Sequence, residues 1–299
     1  MKLLKLIQLS RPKQWIKNLF CFAAILFALK ITDLNLLFIN VLAFLAFCFV
    51  SSIVYIFNDI ADIEADKIHK KKRFRPLASG EVKINEAIIF AFILSIFTVL
   101  ICFNLNYKFI IILCLYLVIN LIYTFKVKNI VLLDVFFISF GFILRVEGGA
   151  YAISVPVSSW MLVTTIFISL FLAISKRRAE LSQQTEVDKL HKQRKVLNHY
   201  SIAFTDQMNT IAAAGTIMSY ALYTASPKTI ETYQTENLIF TTLFVIYGIF
   251  RYLYLIHKKN LGESPTQIVT RDIPIIVNSI IWLLACFFLI YKSKIGFYL

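Results

Sequence analysis

Long uncharged, apolar runs recur along the chain and alternate with short polar connections. The strongest runs come near or exceed the roughly 17 residues that a membrane-spanning helix needs, and they are residues 34–57, 87–107, 109–125, 150–175, 207–227 and 273–291. Weaker runs, each containing at least one charged residue, are 18–32, 129–149 and 237–257. The pattern predicts an all-α polytopic membrane protein with nine transmembrane helices, in a single domain over residues 1–299.

Composition and charge agree with a membrane location. Hydrophobic residues make up 59% of the 299, and the mean hydropathy of +0.74 is well above that of a soluble domain. Most of the 31 Lys and Arg residues fall in the N-terminal segment and in alternate connections, which predicts a cytoplasmic N-terminus and an external C-terminus. The net charge of +14 then reflects cations beside anionic lipid, not nucleic-acid binding. The first apolar segment lacks a small-residue cleavage site, so we expect it to be retained.

A carboxylate cluster follows the second apolar run, within the polar segment 58–86. If the helix continues past Phe57, Asp59, Asp62 and Asp66 are three and seven residues apart and share one face, whereas Glu64 points elsewhere. Like charges on one face repel. A hard divalent cation such as Mg²⁺ binds oxygen ligands and would neutralise the negative charge of the carboxylates, particularly where it also bridges substrate phosphates. The spacing predicts a metal site in preference to a solvated helix face.

Basic residues lie near this cluster in sequence. Arg73 and Arg75 follow a lysine run, and Pro76 and Gly80 predict a bent loop that folds back over the acidic face. The N-terminal segment 11–18, which carries Arg11 and Lys17, fits either an interfacial anchor or a cationic patch beside the site.

Further polar features are predicted deeper in the membrane and in the later connections. Asp134 and Arg145 lie in one weak span, and each is expected to face the bundle interior, a partner or water, although Arg145 also fits the external edge. Connections at 126–129, 176–206 and 258–272 are predicted to be cytoplasmic loops. Residues 188–197 have the apolar spacing of an amphipathic surface helix.

The sequence Asn58-Asp59-x-x-Asp62-x-x-x-Asp66 resembles the first aspartate motif of the UbiA-type intramembrane prenyltransferases, and the nine-span plan agrees. The resemblance covers nearly the whole chain and implies a UbiA-type bundle with cytoplasmic active-site loops. In that superfamily the motif binds Mg²⁺ and the diphosphate of a polyprenyl donor, and a second DxxxD motif follows a later helix. Here that place reads Lys176-Arg177-Arg178-Ala179-Glu180, without a pair of aspartates.

The chain looks closer to one branch, the decaprenyl-phosphate phosphoribosyltransferases. The similarity is carried by the aspartate motif together with Arg11-Pro12-x-Gln14-Trp15-x-Lys17-Asn18, Arg75-Pro76-x-x-Ser79-Gly80, Lys176-Arg177-x-x-Glu180-Leu181 and Arg271-Asp272. The resemblance implies Mg²⁺-dependent transfer of a 5-phosphoribosyl group from phosphoribosyl diphosphate (PRPP) to a polyprenyl phosphate lipid, with release of diphosphate.

The residues provide a chemical rationale for that reaction. Mg²⁺ held by the aspartates, with cations from Lys126, Lys176 and Arg177, would stabilise the leaving diphosphate, and the lipid phosphate needs no base. Arg11, Arg73 or Arg75 is expected to hold the 5-phosphate, since a guanidinium group matches phosphate. The candidate substrate-binding residues are Asn58, Arg11, Lys17, Arg73, Arg75, Tyr123, Arg145, Glu180 and Arg271.

Two alternatives stay open. The first is transfer of a polyprenyl group from its diphosphate to an aromatic or other small acceptor. The second, from another class, is a membrane transporter, although transporters usually place ionisable residues near the bilayer midplane. The sequence gives no oligomeric state.

Overall fold

The computed structural model describes residues 2–68, 72–183, 195–259 and 265–295, and within these ranges all regular structure is helical. Most of the amphipathic segment predicted at 188–197, and two lysines of the run before Arg73, lie outside the described residues. The helices are α1 (Lys2–Leu9), α2 (Ala23–Phe27), α3 (Leu34–Ala61), α4 (Ile63–Ile68), α5 (Ile84–Cys102), α6 (Tyr107–Phe125), α7 (Leu133–Ala152), α8 (Ser159–Ser182), α9 (Ile202–Ala225), α10 (Pro227–Tyr233), α11 (Thr242–Lys259), α12 (Pro265–Arg271) and α13 (Ile273–Ile295).

Seven helices in the described part of the chain are long and apolar enough to cross a membrane, so the chain is an integral membrane protein. They are α3, α5, α6, α7, α8, the segment Asn237–Lys259 that contains α11, and α13. The nine predicted spans are not all confirmed. Residues 18–32 are divided between a 3-10 helix (Pro12–Phe22) and α2, and Leu29 then adopts a positive φ of 58°. The span predicted at 207–227 is α9, which carries buried polar residues such as Asn209 and Thr216 and is correspondingly less apolar.

Three of the predicted loops contain more helix than expected. Helix α8 continues to Ser182, so the basic residues predicted to open the loop 176–206 are helical. The segment 258–272 contains α12, and α4 lies within 58–86. Helix α7 likewise continues to Ala152, past the boundary predicted at residue 149. Charged residues end an uncharged run without ending a helix, which explains the extension of α8 past residue 175.

The chain divides into two compact units, and the single catalytic domain predicted for residues 1–299 stays a prediction. The first unit comprises essentially Met1–Pro156. In it α3 packs against α5, α6 packs against α7, and the 3-10 helix packs against both α3 and α7. Phe47, Phe109 and Tyr116 make edge-on ring contacts in its core. This packing brings the N-terminal segment beside the helix that carries the aspartates.

The second unit contains Val157–Val187 and Val196–Leu299. Helix α8 packs along α9, and α11 packs against α13. Polar groups are paired within it: the Trp282 indole N–H donates to the Tyr220 hydroxyl at 3.0 Å, and that hydroxyl lies 2.7 Å from Thr241 Oγ1. Buried polar groups in a membrane protein need such internal partners.

Candidate functional site

The three aspartates lie where α3 gives way to α4. Asp59 is in the last turn of α3, Asp62 is a turn residue, and Asp66 is in α4. Backbone hydrogen bonds from Asp62 N to Asn58 O (3.0 Å) and from Asp66 N to Asp62 O (2.8 Å) preserve the helical spacing across the break. The side chains of Asp59 and Asp66 are buried, whereas Glu64 is 84% exposed and pairs with Lys67. Glu64 therefore lies outside the cluster, as its spacing predicts.

A single arginine joins two of these carboxylates. Arg75 Nη1 lies 3.0 Å from Asp59 Oδ1 and 2.5 Å from Asp66 Oδ2. The loop folds back as the sequence predicts: a 3-10 turn at Lys72–Phe74 precedes Arg75, and Gly80 adopts a φ of +77°, which favours glycine. The two buried carboxylates therefore converge on one cation.

Arg11, 48 residues earlier in the chain, also pairs with Asp59. Its backbone is left-handed (φ 52°) immediately before the 3-10 helix, and its guanidinium lies 5.0 Å from the centre of the Tyr55 ring. Of the arginines predicted to surround the aspartates, Arg11 and Arg75 do so. Arg73 does not, because it is exposed and its guanidinium lies against the ring of Phe74.

The third carboxylate has a lysine partner that the sequence analysis missed. Lys128 Nζ lies 2.6 Å from Asp62 Oδ1, and Asn58 Nδ2 donates to Asp62 Oδ2 at 3.2 Å. Lys126, the predicted catalytic lysine, is exposed, and Tyr123 is half-buried. Lys126 immediately precedes a short 3-10 turn (Val127–Asn129), and Lys128 lies within it. Only the pairing with Asp62, which is distant in sequence, distinguishes them.

A second polar network lies deeper on α3. Arg145 on α7 is 5% exposed; its Nε donates to Asn18 Oδ1 at 2.7 Å, and its Nη2 donates to the Tyr116 hydroxyl at 2.7 Å. Asn18 in turn donates to Ser51 Oγ at 3.3 Å. Arg145 therefore faces the interior of the first unit. Asp134, on the same helix, is also buried.

Lys17, in the first unit, is half-buried, and the other remaining candidate residues belong to the second unit. Arg177 is buried on α8 and its Nη1 lies 2.6 Å from Glu180 Oε2, while Lys176 Nζ lies 3.9 Å from Glu180 Oε1. One turn of helix thus carries two cations and one carboxylate. Arg178 is paired separately with Asp206, at 2.5 Å.

The last predicted site residue, Arg271, is exposed at the end of α12. Its neighbour Asp272 has the defined contact: Arg251 Nη2 lies 2.9 Å from Asp272 Oδ2, and this hydrogen bond holds the pKa of the Asp272 carboxyl below its usual range.

Among the described residues, no group of three or more acidic, histidine or cysteine side chains is arranged to hold a metal ion. Asp59 and Asp66 nevertheless converge on the Arg75 guanidinium, which carries positive charge. Mg²⁺ is commonly bound through one or two carboxylates plus substrate phosphates, so two converging carboxylates fit such an ion. The fold and this cluster define an integral membrane protein of the helical-bundle class, with buried carboxylates surrounded by basic side chains.

Comparison with known proteins identifies the family. The model of the UbiA prenyltransferase family matches residues 18–271, and the chain belongs to that family. Decaprenyl-phosphate phosphoribosyltransferase of Mycolicibacterium smegmatis is 32% identical, over 93% of this chain and 90% of the relative. The protein of the same name from Corynebacterium glutamicum is 31% identical, over 96% and 86% respectively. The chain is accordingly a transferase.

Solved structures of a UbiA homologue have the same fold as this chain. A UbiA homologue from Archaeoglobus fulgidus bound to GPP and Mg²⁺ has a TM-score of 0.72 and 21% identity, over 96% of this chain and 99% of that one. The same homologue bound to DMAPP and Mg²⁺ gives a TM-score of 0.70 at 19% identity, with the same coverage.

Proposed function

We propose that this protein transfers the 5-phosphoribosyl group of PRPP to a polyprenyl phosphate with the aid of Mg²⁺, giving polyprenylphosphoryl-5-phosphoribose and diphosphate. The observation that carries the proposal is the buried end of α8, where Arg177 pairs with Glu180 in place of a second aspartate pair. The relatives named decaprenyl-phosphate phosphoribosyltransferase support the same reaction, because they match over most of the chain.

The metal and the diphosphate are assigned to the aspartate cluster. Asp59 and Asp66 would hold Mg²⁺, with Asp62 beside them, and the bound ion would neutralise charge on the leaving diphosphate. Arg11 and Arg75 already contact the carboxylates, so they lie where the negative charge of a bound diphosphate would be. Their guanidinium groups are suited to bidentate contacts with phosphate oxygens.

The reaction then needs positioning and electrostatic stabilisation more than acid–base chemistry. An oxygen of the lipid phosphate attacks C1 of the ribose, the bond from C1 to the diphosphate oxygen breaks, and the diphosphate leaves with the electron pair. The attacking oxygen is already anionic, so no side chain has to remove a proton. Basic residues around a water-poor site lower the barrier by stabilising charge that develops on the leaving group.

The roles of the second-unit residues follow from the same proposal. Lys176 and Arg177 stay predicted catalytic residues, Glu180 would hold Arg177 in place, and Arg271 stays a predicted substrate-binding residue. Lys128 replaces Lys126 as the lysine of the aspartate cluster, because it is the one that contacts Asp62.

Localisation and orientation are part of the proposal. The distribution of Lys and Arg favours a cytoplasmic N-terminus and cytoplasmic aspartates in a bacterial-type membrane, with the C-terminus external. PRPP is a soluble polyanion and polyprenyl phosphate is a lipid, so a site at the cytoplasmic edge of the membrane is accessible to both.

Prenyl transfer is the second candidate, since the Archaeoglobus fulgidus homologue was solved with GPP and with DMAPP. Purified protein in lipid nanodiscs should be incubated with Mg²⁺, labelled PRPP and a polyprenyl phosphate, and separately with a polyprenyl diphosphate and aromatic acceptors. We expect label in the lipid fraction from the first mixture only, and a matched Asp59→Asn protein should give none. Turnover of the polyprenyl diphosphate without labelled lipid would reject the proposal in favour of prenyl transfer.

A further inference from the structure

Three hydrogen-bond donors in the first unit have no acceptor among the residues that the structure describes. Lys17 is half-buried and, among the described residues, makes no ion pair or hydrogen bond; the Tyr55 hydroxyl likewise has no hydrogen-bond partner. Nη1 of Arg145 has no acceptor either, although Nε and Nη2 of the same guanidinium do. Lys17 adjoins Asn18, which accepts from Arg145, and Tyr55 is about one helical turn from Ser51, which accepts from Asn18, so the three donors lie in the same part of the first unit.

We propose that Lys17, Tyr55 and Arg145 form an anion subsite for a phosphate monoester, separate from the diphosphate site at the aspartates. The assignment of this subsite to the 5-phosphate of the sugar donor rests on the proposed function. This differs from the expectation that Arg11, Arg73 or Arg75 holds that group.

The argument begins with charge. Arg145 is 5% exposed, and the described hydrogen-bond partners of its guanidinium group, Asn18 and Tyr116, are neutral. Its remaining neighbours are aromatic: the ring centres of Tyr116 and Phe142 lie 4.8 and 5.0 Å from its central carbon. A buried charge without a counterion is costly, and arginine does not lose its proton to avoid that cost. An anionic ligand would supply the missing counter-charge.

The positions along α3 fit a ligand with phosphate at both ends. Ser51, which accepts from Asn18, is two turns before Asp59 on a similar face of the helix, or about 12 Å by helix rise. Tyr55 lies between them. The Arg145 network and the aspartates therefore lie at different levels of α3, as a ligand with a phosphate group at each end requires.

Binding of a phosphate monoester in the absence of metal provides a test that does not depend on transfer. Equilibrium binding of labelled ribose 5-phosphate to the full chain in nanodiscs should be measured in EDTA, with unphosphorylated ribose as the reference. Farnesyl phosphate should be titrated in parallel, because a lipid phosphate is the other source of the same chemistry.

The variants are Tyr55→Phe and Lys17→Met, which leave Arg145 and its partners in place. We expect Tyr55→Phe to weaken ribose 5-phosphate binding about three- to tenfold and Lys17→Met about tenfold or more. Tyr107→Phe and Lys13→Met are matched controls: both side chains are exposed and neither residue is assigned to the site, so binding should not change.

The outcomes separate the subsite from the proposed reaction. Ribose 5-phosphate binding that both variants weaken supports the subsite, even if the wild-type protein fails to transfer phosphoribose. If farnesyl phosphate alone binds more weakly to the variants, the assignment to the donor is overturned. If ribose 5-phosphate binds no better than ribose, or both variants bind it as the wild type does, the subsite itself is refuted, whether or not the protein is active.

Discussion

Replacing Lys128 with methionine tests whether this lysine positions the aspartate cluster. Its Nζ lies 2.6 Å from Asp62 Oδ1, and the two side chains are 17% and 30% exposed. Methionine keeps much of the side-chain length but removes the charge, so Asp62 retains only the amide of Asn58 as a described partner. A charge-assisted hydrogen bond in such surroundings contributes about 2 kcal/mol. Loss of a residue that orients a metal ligand typically lowers metal affinity or activity by about 10–100-fold.

The assay is the initial rate of labelled-lipid formation as a function of Mg²⁺ concentration, because a purely structural role would not shift the half-saturating Mg²⁺. We expect Lys128→Met to raise that concentration and lower the rate by about 10–100-fold, and Lys128→Arg to recover much of the loss. Lys126→Met is the matched control, since Lys126 is exposed only two residues away. An equal or larger effect at Lys126, or an unchanged Mg²⁺ response in Lys128→Met, would show that the contact with Asp62 has no part in catalysis.

Three further predictions concern the cluster, the packing and the second unit. Asp59→Asn should lower transfer by at least about 1000-fold without unfolding the protein, measured by rate and thermal denaturation; substantial activity would remove Asp59 from the metal site. Gly149→Ala should lower the melting temperature by several degrees or prevent folding, because the added Cβ would lie 1.9 Å from a backbone carbonyl oxygen. Gly141→Ala is the control, since its added Cβ would have its closest contact at 3.4 Å. Equal effects of the two substitutions would contradict the packing. The lowered pKa of Asp272 means that its pair with Arg251 stabilises the protein fully above the ordinary aspartate pKa and loses that effect as the pH falls through the lowered pKa. Asp272→Asn should therefore lower the melting temperature at pH 7 and progressively less as the pH falls below about 4, and a pH-independent difference would refute the pairing.

The membrane-spanning helices could be predicted from the sequence wherever an apolar run was long and uninterrupted. Helices α3, α5 and α6 lie where the runs predict them, because burying backbone in lipid requires helix and each run is long enough to span. Hydropathy carries no information about helix that continues into a charged segment. For that reason the residues 176–182 at the end of α8 were predicted as loop, although the Arg177–Glu180 contact lies within one helical turn.

Within the candidate site, the spacing of residues along the chain predicts some of the arrangement, but contacts between distant segments determine most of the pairings. The shared face of the aspartates follows from helical period, and the bend that brings Arg75 back follows from proline and glycine. The choice of Lys128 over Lys126 does not, because both are lysines beside the same span and only the fold shows which one reaches Asp62. Asn18 belonged to a recognised motif, but its role as the partner of Arg145 depends on a contact between segments far apart in sequence.

The distribution of charge between the two depths of the first unit favours a sugar donor over a prenyl diphosphate. At the aspartates, three carboxylates are matched by Arg11, Arg75 and Lys128, so that level is close to neutral until a divalent cation arrives. Two turns deeper, Lys17 and Arg145 have no described carboxylate partner. A prenyl diphosphate carries all of its charge at one end and would place an apolar chain beside these two cations, leaving them uncompensated. A donor with diphosphate at one end of a pentose and phosphate at the other would neutralise both levels at once, and burial makes that match energetically important.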